Sequence, residues 1–207
     1  MSTKIALDGV GGQGVRLIAG VMGALLARMG KEVTVLFDYD SSVRGSMSDA
    51  FLIFDDKPIE NPVVEEADIM LKLADKGHLR ISGRKVVADL GLDVPGAEQI
   101  PFASLGSQIF GKELFGNMIA LGRVLRLADI EFDEPAIRES LPRRYEDENI
   151  AAIRYGYGLT EGEIQRLAAA APPSRFQMNN AATAPHVRAT GGGLDAAELP
   201  AGTGETG

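Results

Sequence analysis

The sequence predicts an α/β domain built on a mostly parallel sheet, and three observations carry that expectation. A short apolar run, Ile5-Ala6-Leu7-Asp8, breaks into the glycine-rich turn Gly9-Val10-Gly11-Gly12-Gln13-Gly14. Behind the turn, Ile18, Val21, Met22, Leu25, Leu26 and Met29 recur at helical spacing. Further apolar runs bounded by polar turns follow through the first half, and the second half reads as helices.

The opening strand, turn and helix are the most informative segment. Glycines there leave no Cβ to block the turn, let backbone approach a ligand, and let the helix sit close to the strand. Unpaired amides at the helix start, aligned with its dipole, favour an anion such as a diphosphate. Gly9, Gly11, Gly12, Gln13 and Gly14 are therefore candidate binding residues. The plainer alternative stays open: the glycines serve only close packing, and Gln13 caps neighbouring backbone.

The next run, Glu32-Val33-Thr34-Val35-Leu36-Phe37, reads as a buried strand ending in Asp38-Tyr39-Asp40. A polar loop from Ser41 to Ser48 then holds Arg44-Gly45. Arg44 is a candidate to meet a phosphate or carboxylate at the same edge of the sheet, or to pair across a subunit interface. Ala50-Phe51-Leu52-Ile53-Phe54 follows too short a loop for a helical crossover, which opens it to antiparallel pairing. Asp68 to Leu73 and Lys85 to Asp89 read as further strands.

Leu114 to Leu127 places Met118, Leu121, Val124 and Leu125 on one helical stripe. Asn117 within it is expected as a buried hydrogen-bonding anchor. Asp133 can cap a helix opening Glu134-Pro135, since proline suits a first turn. Tyr145-Glu146-Asp147-Glu148 reads as a solvated helix start. Thr160 and Glu163 have capping-box spacing for a last helix through Ala171. From Pro172 the chain turns to alanine, glycine, proline and threonine, too little apolar surface to order itself. The expected organisation is one domain, residues 1–171, with a flexible tail, 172–207.

Composition narrows the function. At 207 residues and 45% hydrophobic content, one sizeable core is expected and two full domains are not. No run has bilayer-spanning length, and Met1-Ser2-Thr3-Lys4 leads straight into a strand without room for a signal peptide, so a cytoplasmic location is expected. The chain has no cysteine, so it offers no disulfide and no thiolate for an iron–sulfur cluster or zinc. A net charge of -8 argues against general binding to nucleic acid or anionic membrane. His78 and His186 stand alone, which assigns them no metal or acid–base role, and no nucleophile–base pair emerges.

Gly9-Val10-Gly11-Gly12-Gln13-Gly14-Val15 resembles the opening motif of the gamma subunit, or gamma domain, of 2-oxoacid:ferredoxin oxidoreductases. Tyr39, Arg44-Gly45 and Ser48 stand where that family carries a Tyr-Gly-x-Glu-x-Arg-Gly-Gly-x-Ser loop. Lys57-Pro58-Ile59, Pro62-Val63-Val64 and Ala67 to Leu71 are similar to the turn and strand that follow. Asn117-Met118-Ile119-Ala120-Leu121-Gly122 resembles its Asn-x-x-x-Leu-Gly helix. The likeness runs over residues 4 to 158. Asp40, Ser42 and Ser46 depart from the loop, and Asp8 is an unusual charge just before the turn.

The resemblance implies a single Rossmann-like three-layer domain and an accessory role. The whole enzyme would oxidatively decarboxylate a 2-oxoacid with coenzyme A, giving an acyl-CoA, carbon dioxide and reduced ferredoxin. Thiamine diphosphate, magnesium and iron–sulfur clusters are expected on partner alpha, beta and ferredoxin-like subunits, with ferredoxin itself the other possible acceptor. This chain is expected to hold no cofactor alone, and the glycine loop and Arg44 are its candidates for contact with CoA, beside their plainer packing and interface readings. The segment from Ile59 to Val64 resembles 2-oxoglutarate-type chains slightly more than pyruvate-type ones. Two alternatives remain: a stand-alone NAD enzyme with Asp38 or Asp40 on a ribose, or an E1-like adenylating protein. A pure scaffold retaining the family's fold is the non-enzymatic reading.

Overall fold

The computed structural model describes residues 2–39, 48–74, 81–92 and 94–170. Asp40, Ser42, Arg44, Gly45, Ser46, His78, His186 and the tail 172–207 lie outside them. The strands are β1 (Thr3–Asp8), β2 (Glu32–Tyr39), β3 (Ser48–Asp55), β4 (Glu66–Lys72), β5 (Ser82–Asp89) and β6 (Glu98–Ile100). They form one sheet in the order β2-β3-β1-β4-β5-β6. β1, β4, β5 and β6 pair in parallel, while β3 is antiparallel to both β1 and β2. Two antiparallel pairings in succession leave β2 running with β1. Helix α1 (Val15–Arg28) therefore makes a parallel crossover that reaches over β3.

One expectation fails at β2. Its apolar run read as buried, yet it forms the sheet edge, with Leu36 41% and Phe37 40% exposed. A run of β-branched and aromatic residues suits any strand; only pairing partners decide whether it is central.

The remaining helices are α2 (Phe102–Phe110), α3 (Gly116–Leu127), α4 (Glu134–Ser140), α5 (Glu146–Gly158) and α6 (Glu161–Ala170). A 3-10 turn at Glu113–Phe115 occupies the start of what the periodicity predicted as a single helix. Their buried residues join Ile5, Leu7, Ala50, Leu52, Ile69, Leu71 and Val87 in one core on one sheet face. Ala6, Ala67 and Met70, with Phe51, Val64 and Val86, form a smaller cluster containing no helical residue. Val63 belongs to the loop after β3 and accepts a hydrogen bond from Lys4 Nζ at 2.8 Å.

The caps form as the spacing predicted. Asp133 accepts from the Ala136 amide at 3.2 Å, and Thr160 and Glu163 bond reciprocally. The stripe Met118, Leu121, Val124 and Leu125 is fully buried. Its helix crosses α5 at backbone contact: a Cβ on Gly122 would run into the Ile153 carbonyl, and one on Gly156 into that of Ile119. Strand β6 and helix α2 went unread. Phe102, Leu105, Gly106 and Ile109 have helical spacing behind Pro101, which was the available signal.

Candidate functional site

The glycine turn sits at the carboxyl end of β1, where open α/β sheets present ligand crevices. Gln13 holds its shape. Its Oε1 accepts from the Val10 amide at 2.9 Å, and its Nε2 donates to the Leu73 carbonyl at 2.8 Å. The side chain thereby ties the turn to the end of β4, the capping role that was one of its two readings. Gly9 accepts from the Ser48 amide at 3.0 Å, and a Cβ there would stand 2.6 Å from Val15 Cγ2. Gly9 is thus a packing glycine.

Gly12 and Gly14 differ from it. Both have positive φ, 98° and 82°, a region that favours glycine. A Cβ on Gly12 would meet nothing within 4 Å, and Gly11 and Gly12 are both exposed. Gly14 is the N-cap of α1, whose first turn carries no acidic side chain and no side-chain cap among the described residues. The first amides of a 14-residue helix therefore have no side-chain cap beside an exposed backbone turn. That geometry fits the diphosphate of a cofactor such as CoA. Arg16 adds a cation in the same turn, its Cζ 5.0 Å from the Phe37 ring centre.

Charge is also buried at this end of the sheet. Asp8 is 1% exposed and lies 3.4 Å from Lys72 Nζ on the neighbouring strand. An ion pair compensates the cost of burying that carboxylate. Asp49, 2% exposed, stands opposite Asp38 across β2 and β3. The sequence singled out Asp8 as a departure but could not show Lys72 beside it. The same pairing weighs against Asp38 as a ribose-binding carboxylate. That role belongs to the strand next to β1, and here β3 lies between β1 and β2.

Asn117 of α3 closes the other side of the turn. Its Cγ would be 3.2 Å from a Cβ on Gly14, so the amide packs directly on the α1 N-cap. The buried Oδ1 of Asn117 has no hydrogen-bond partner among the described residues. Beside it opens a cavity of about 300 Å³ lined by Leu17, Leu114, Asn117, Arg144, Tyr145 and Asn149. In the acidic start of α5, Asp147 and Glu148 are exposed and Glu146 is half-buried, and Glu146 and Asp147 each lie 2.7 Å from Arg138. Among the described residues no cluster of three histidine or carboxylate side chains could hold a metal ion.

Residues 4–159 match the family described as pyruvate ferredoxin/flavodoxin oxidoreductase. A 2-oxoglutarate synthase subunit KorC from Methanocaldococcus jannaschii is 29% identical over 174 residues, 76% of this chain and 93% of that one. The structure of a keto/oxoacid ferredoxin oxidoreductase gamma subunit from Geobacter sulfurreducens superposes with a TM-score of 0.62. It is 21% identical, with 81% of this chain and 98% of that one covered. A longer chain, 2-oxoglutarate:ferredoxin oxidoreductase from Magnetococcus marinus, was solved with 2-oxoglutarate, coenzyme A and succinyl-CoA bound. It superposes at 0.61 and 18% identity over 84% of this chain and 32% of its own.

Proposed function

Because the chain belongs to the pyruvate ferredoxin/flavodoxin oxidoreductase family, we propose that it is the gamma-type subunit of a thiamine diphosphate- and CoA-dependent 2-oxoacid:ferredoxin oxidoreductase, with 2-oxoglutarate as the oxoacid. The family match over residues 4–159 carries this reading, supported by a relative named as a 2-oxoglutarate synthase subunit that aligns over nearly its whole length. The complete enzyme oxidises the 2-oxoacid with loss of carbon dioxide and passes the acyl group to CoA. Thiamine diphosphate supplies the carbanion chemistry and iron–sulfur clusters remove the electrons. With no cysteine, this chain offers no thiolate to a cluster. Its partners in the proposal are alpha and beta chains that hold thiamine diphosphate and magnesium, with a ferredoxin-like subunit or ferredoxin.

This chain's own part is to assemble with those subunits and to meet CoA at the glycine turn. Gly11, Gly12 and Gly14 leave the α1 amides open to a diphosphate, Gly9 lets the helix close on the strand, and Gln13 holds the turn in place. Arg44 is the proposed side-chain cation for a phosphate. Residues 1–171 are the assembling domain, and removal of 172–207 is expected to leave the complex intact. No described helix is long and apolar enough to cross a membrane, and a cytoplasmic complex is proposed.

The test is a native pull-down of this chain from its host, with the eluate assayed for CoA-dependent dye reduction over a panel of 2-oxoacids. Larger partners and 2-oxoglutarate-driven reduction support the proposal. Activity with a different oxoacid corrects the substrate, and a lone chain that binds NAD or ATP overturns the assignment.

A further inference from the structure

The cavity beside the glycine turn has a chemical character that the turn does not explain. Two cations converge on one phenol at its wall. Lys112 Nζ sits 3.9 Å from the centre of the Tyr145 ring, and Arg144 Cζ 4.8 Å from it. Arg144 Nη2 also donates to the Tyr145 hydroxyl at 3.1 Å. Neither cation has a carboxylate within ion-pair distance among the described residues, in a chain whose net charge is -8. The acids next along the chain from Arg144, Glu146 and Asp147, are held by Arg138, which also bonds Glu134.

The hydrogen-bond pairing of the cavity is likewise incomplete. Asn117 brings a buried Oδ1 with no donor among the described residues, and Asn149, 5% exposed, donates only to the Arg144 carbonyl at 3.3 Å. Leu17, Leu114 and Pro142 make the rest of the wall apolar. Cations with no carboxylate partner among the described residues, Arg144 in the wall and Lys112 beside it, together with apolar walls in about 300 Å³, are the makings of a small-ligand site.

We propose that this cavity binds the oxyanion of a small organic molecule, a phosphate or carboxylate that pairs with Arg144 at the cavity wall, draws on Lys112 beside the Tyr145 ring, and receives the Tyr145 hydroxyl proton as a hydrogen bond. Leu17 and Leu114 flank the carbon part of the ligand. The site does not depend on CoA reaching the glycine turn. The two lie side by side because Asn117 packs on Gly14. In the absence of the anion Tyr145 serves as the surrogate partner of both cations. Hydrogen bonding to Lys112 and then Arg144 holds its hydroxyl below the ordinary tyrosine value.

The experiment follows the phenolate absorbance of Tyr145 in the full chain, taken as the difference from Tyr145→Phe, while inorganic phosphate is added at constant ionic strength. A bound anion neutralises the two cations, so the Tyr145 midpoint is expected to move up, saturably, towards the ordinary tyrosine value. Lys112→Met and Arg144→Gln each weaken phosphate about tenfold or more, the scale of one charge-assisted hydrogen bond. Both side chains are exposed, so the variants are expected to fold, and the wild-type titration is decisive without them. An unsaturable response that chloride reproduces is screening, and overturns the site. Parallel titrations with CoA and with 2-oxoglutarate identify the source of the oxyanion: the one that saturates at lower concentration than phosphate is the ligand's chemistry.

Discussion

The side chain of Asn117 rests on the α-carbon of Gly14, so that a single methyl group added at Gly14 would overlap the Asn117 amide. This contact joins the first glycine turn to a helix more than 100 residues later, and couples two penalties at one position. Alanine at Gly14 must take a φ near 82° and must displace Asn117. Gly14→Ala is expected to destabilise the chain by about 2–3 kcal/mol. Pairing it with Asn117→Ala should recover about 1 kcal/mol by removing the overlap while leaving the backbone strain. Denaturant unfolding of the four proteins in this cycle measures both parts, and strict additivity would mean that the contact is not formed.

Gly12 separates the proposed binding role of the turn from its packing role. A methyl group there meets no neighbour, so Gly12→Ala is expected to fold with a loss of only about 1 kcal/mol from its positive φ. The same methyl projects where the diphosphate would approach. In the assembled enzyme KM for CoA should rise roughly tenfold, the loss of one backbone contact to a charged group, with KM for the 2-oxoacid unchanged. An unaltered KM for CoA would remove the cofactor from this turn.

Arg123 is the only arginine among the buried polar residues described, at 6% exposure, and Glu98 meets it with both oxygens, at 2.6 and 2.7 Å. A third bond, 2.8 Å to the Leu159 carbonyl, ties the end of α5 to α3 and β6. Arg123→Met is expected to cost about 3 kcal/mol, because it strands the Glu98 carboxylate and one carbonyl. Replacing both partners together should cost less than Arg123→Met alone. Thermal unfolding of the single and double variants checks the order.

Acid should loosen the contact between α4 and α5. Hydrogen bonding to Arg138, with Arg154 beside it, holds the Glu134 carboxyl below its ordinary value of 4.5. A lowered folded value means stability that is present above pH 4.5 and lost as pH falls through the folded value. Glu134→Gln should therefore show the loss already at neutral pH and a flatter acid limb. Amide exchange in α4 between neutral pH and about pH 3 reads this directly. Equal acid sensitivity in both proteins would mean that Glu134 plays no part.

Tyr155 and Asp89 titrate in the opposite sense to Glu134. Burial raises the Asp89 carboxyl, against hydrogen bonds from the amides of Gly91, Phe102 and Ala103. Its ionisation therefore lowers stability as pH rises from the ordinary value of 3.8 through the folded one. Asp89→Asn is expected to remove this contribution, so that its stability rises more steeply with pH across the acid range than that of the unaltered chain.

Local periodicity determined the strands β1, β4 and β5, the helix α1, the buried stripe of α3 and the caps at Asp133 and Thr160. Each depends on residues within about one or two turns of one another, where side-chain direction follows from backbone geometry. The glycine turn was legible for the same reason, and its order of residues was enough to suggest the family. Tertiary structure alone decided that β2 is an edge, that β3 separates it from β1, that Lys72 answers Asp8, and that Asn117 covers Gly14. It alone gathered Lys112, Arg144 and Tyr145 around a cavity. These relationships join residues distant in the chain, and they are set by pairing and packing free energy, which no local pattern of residues encodes.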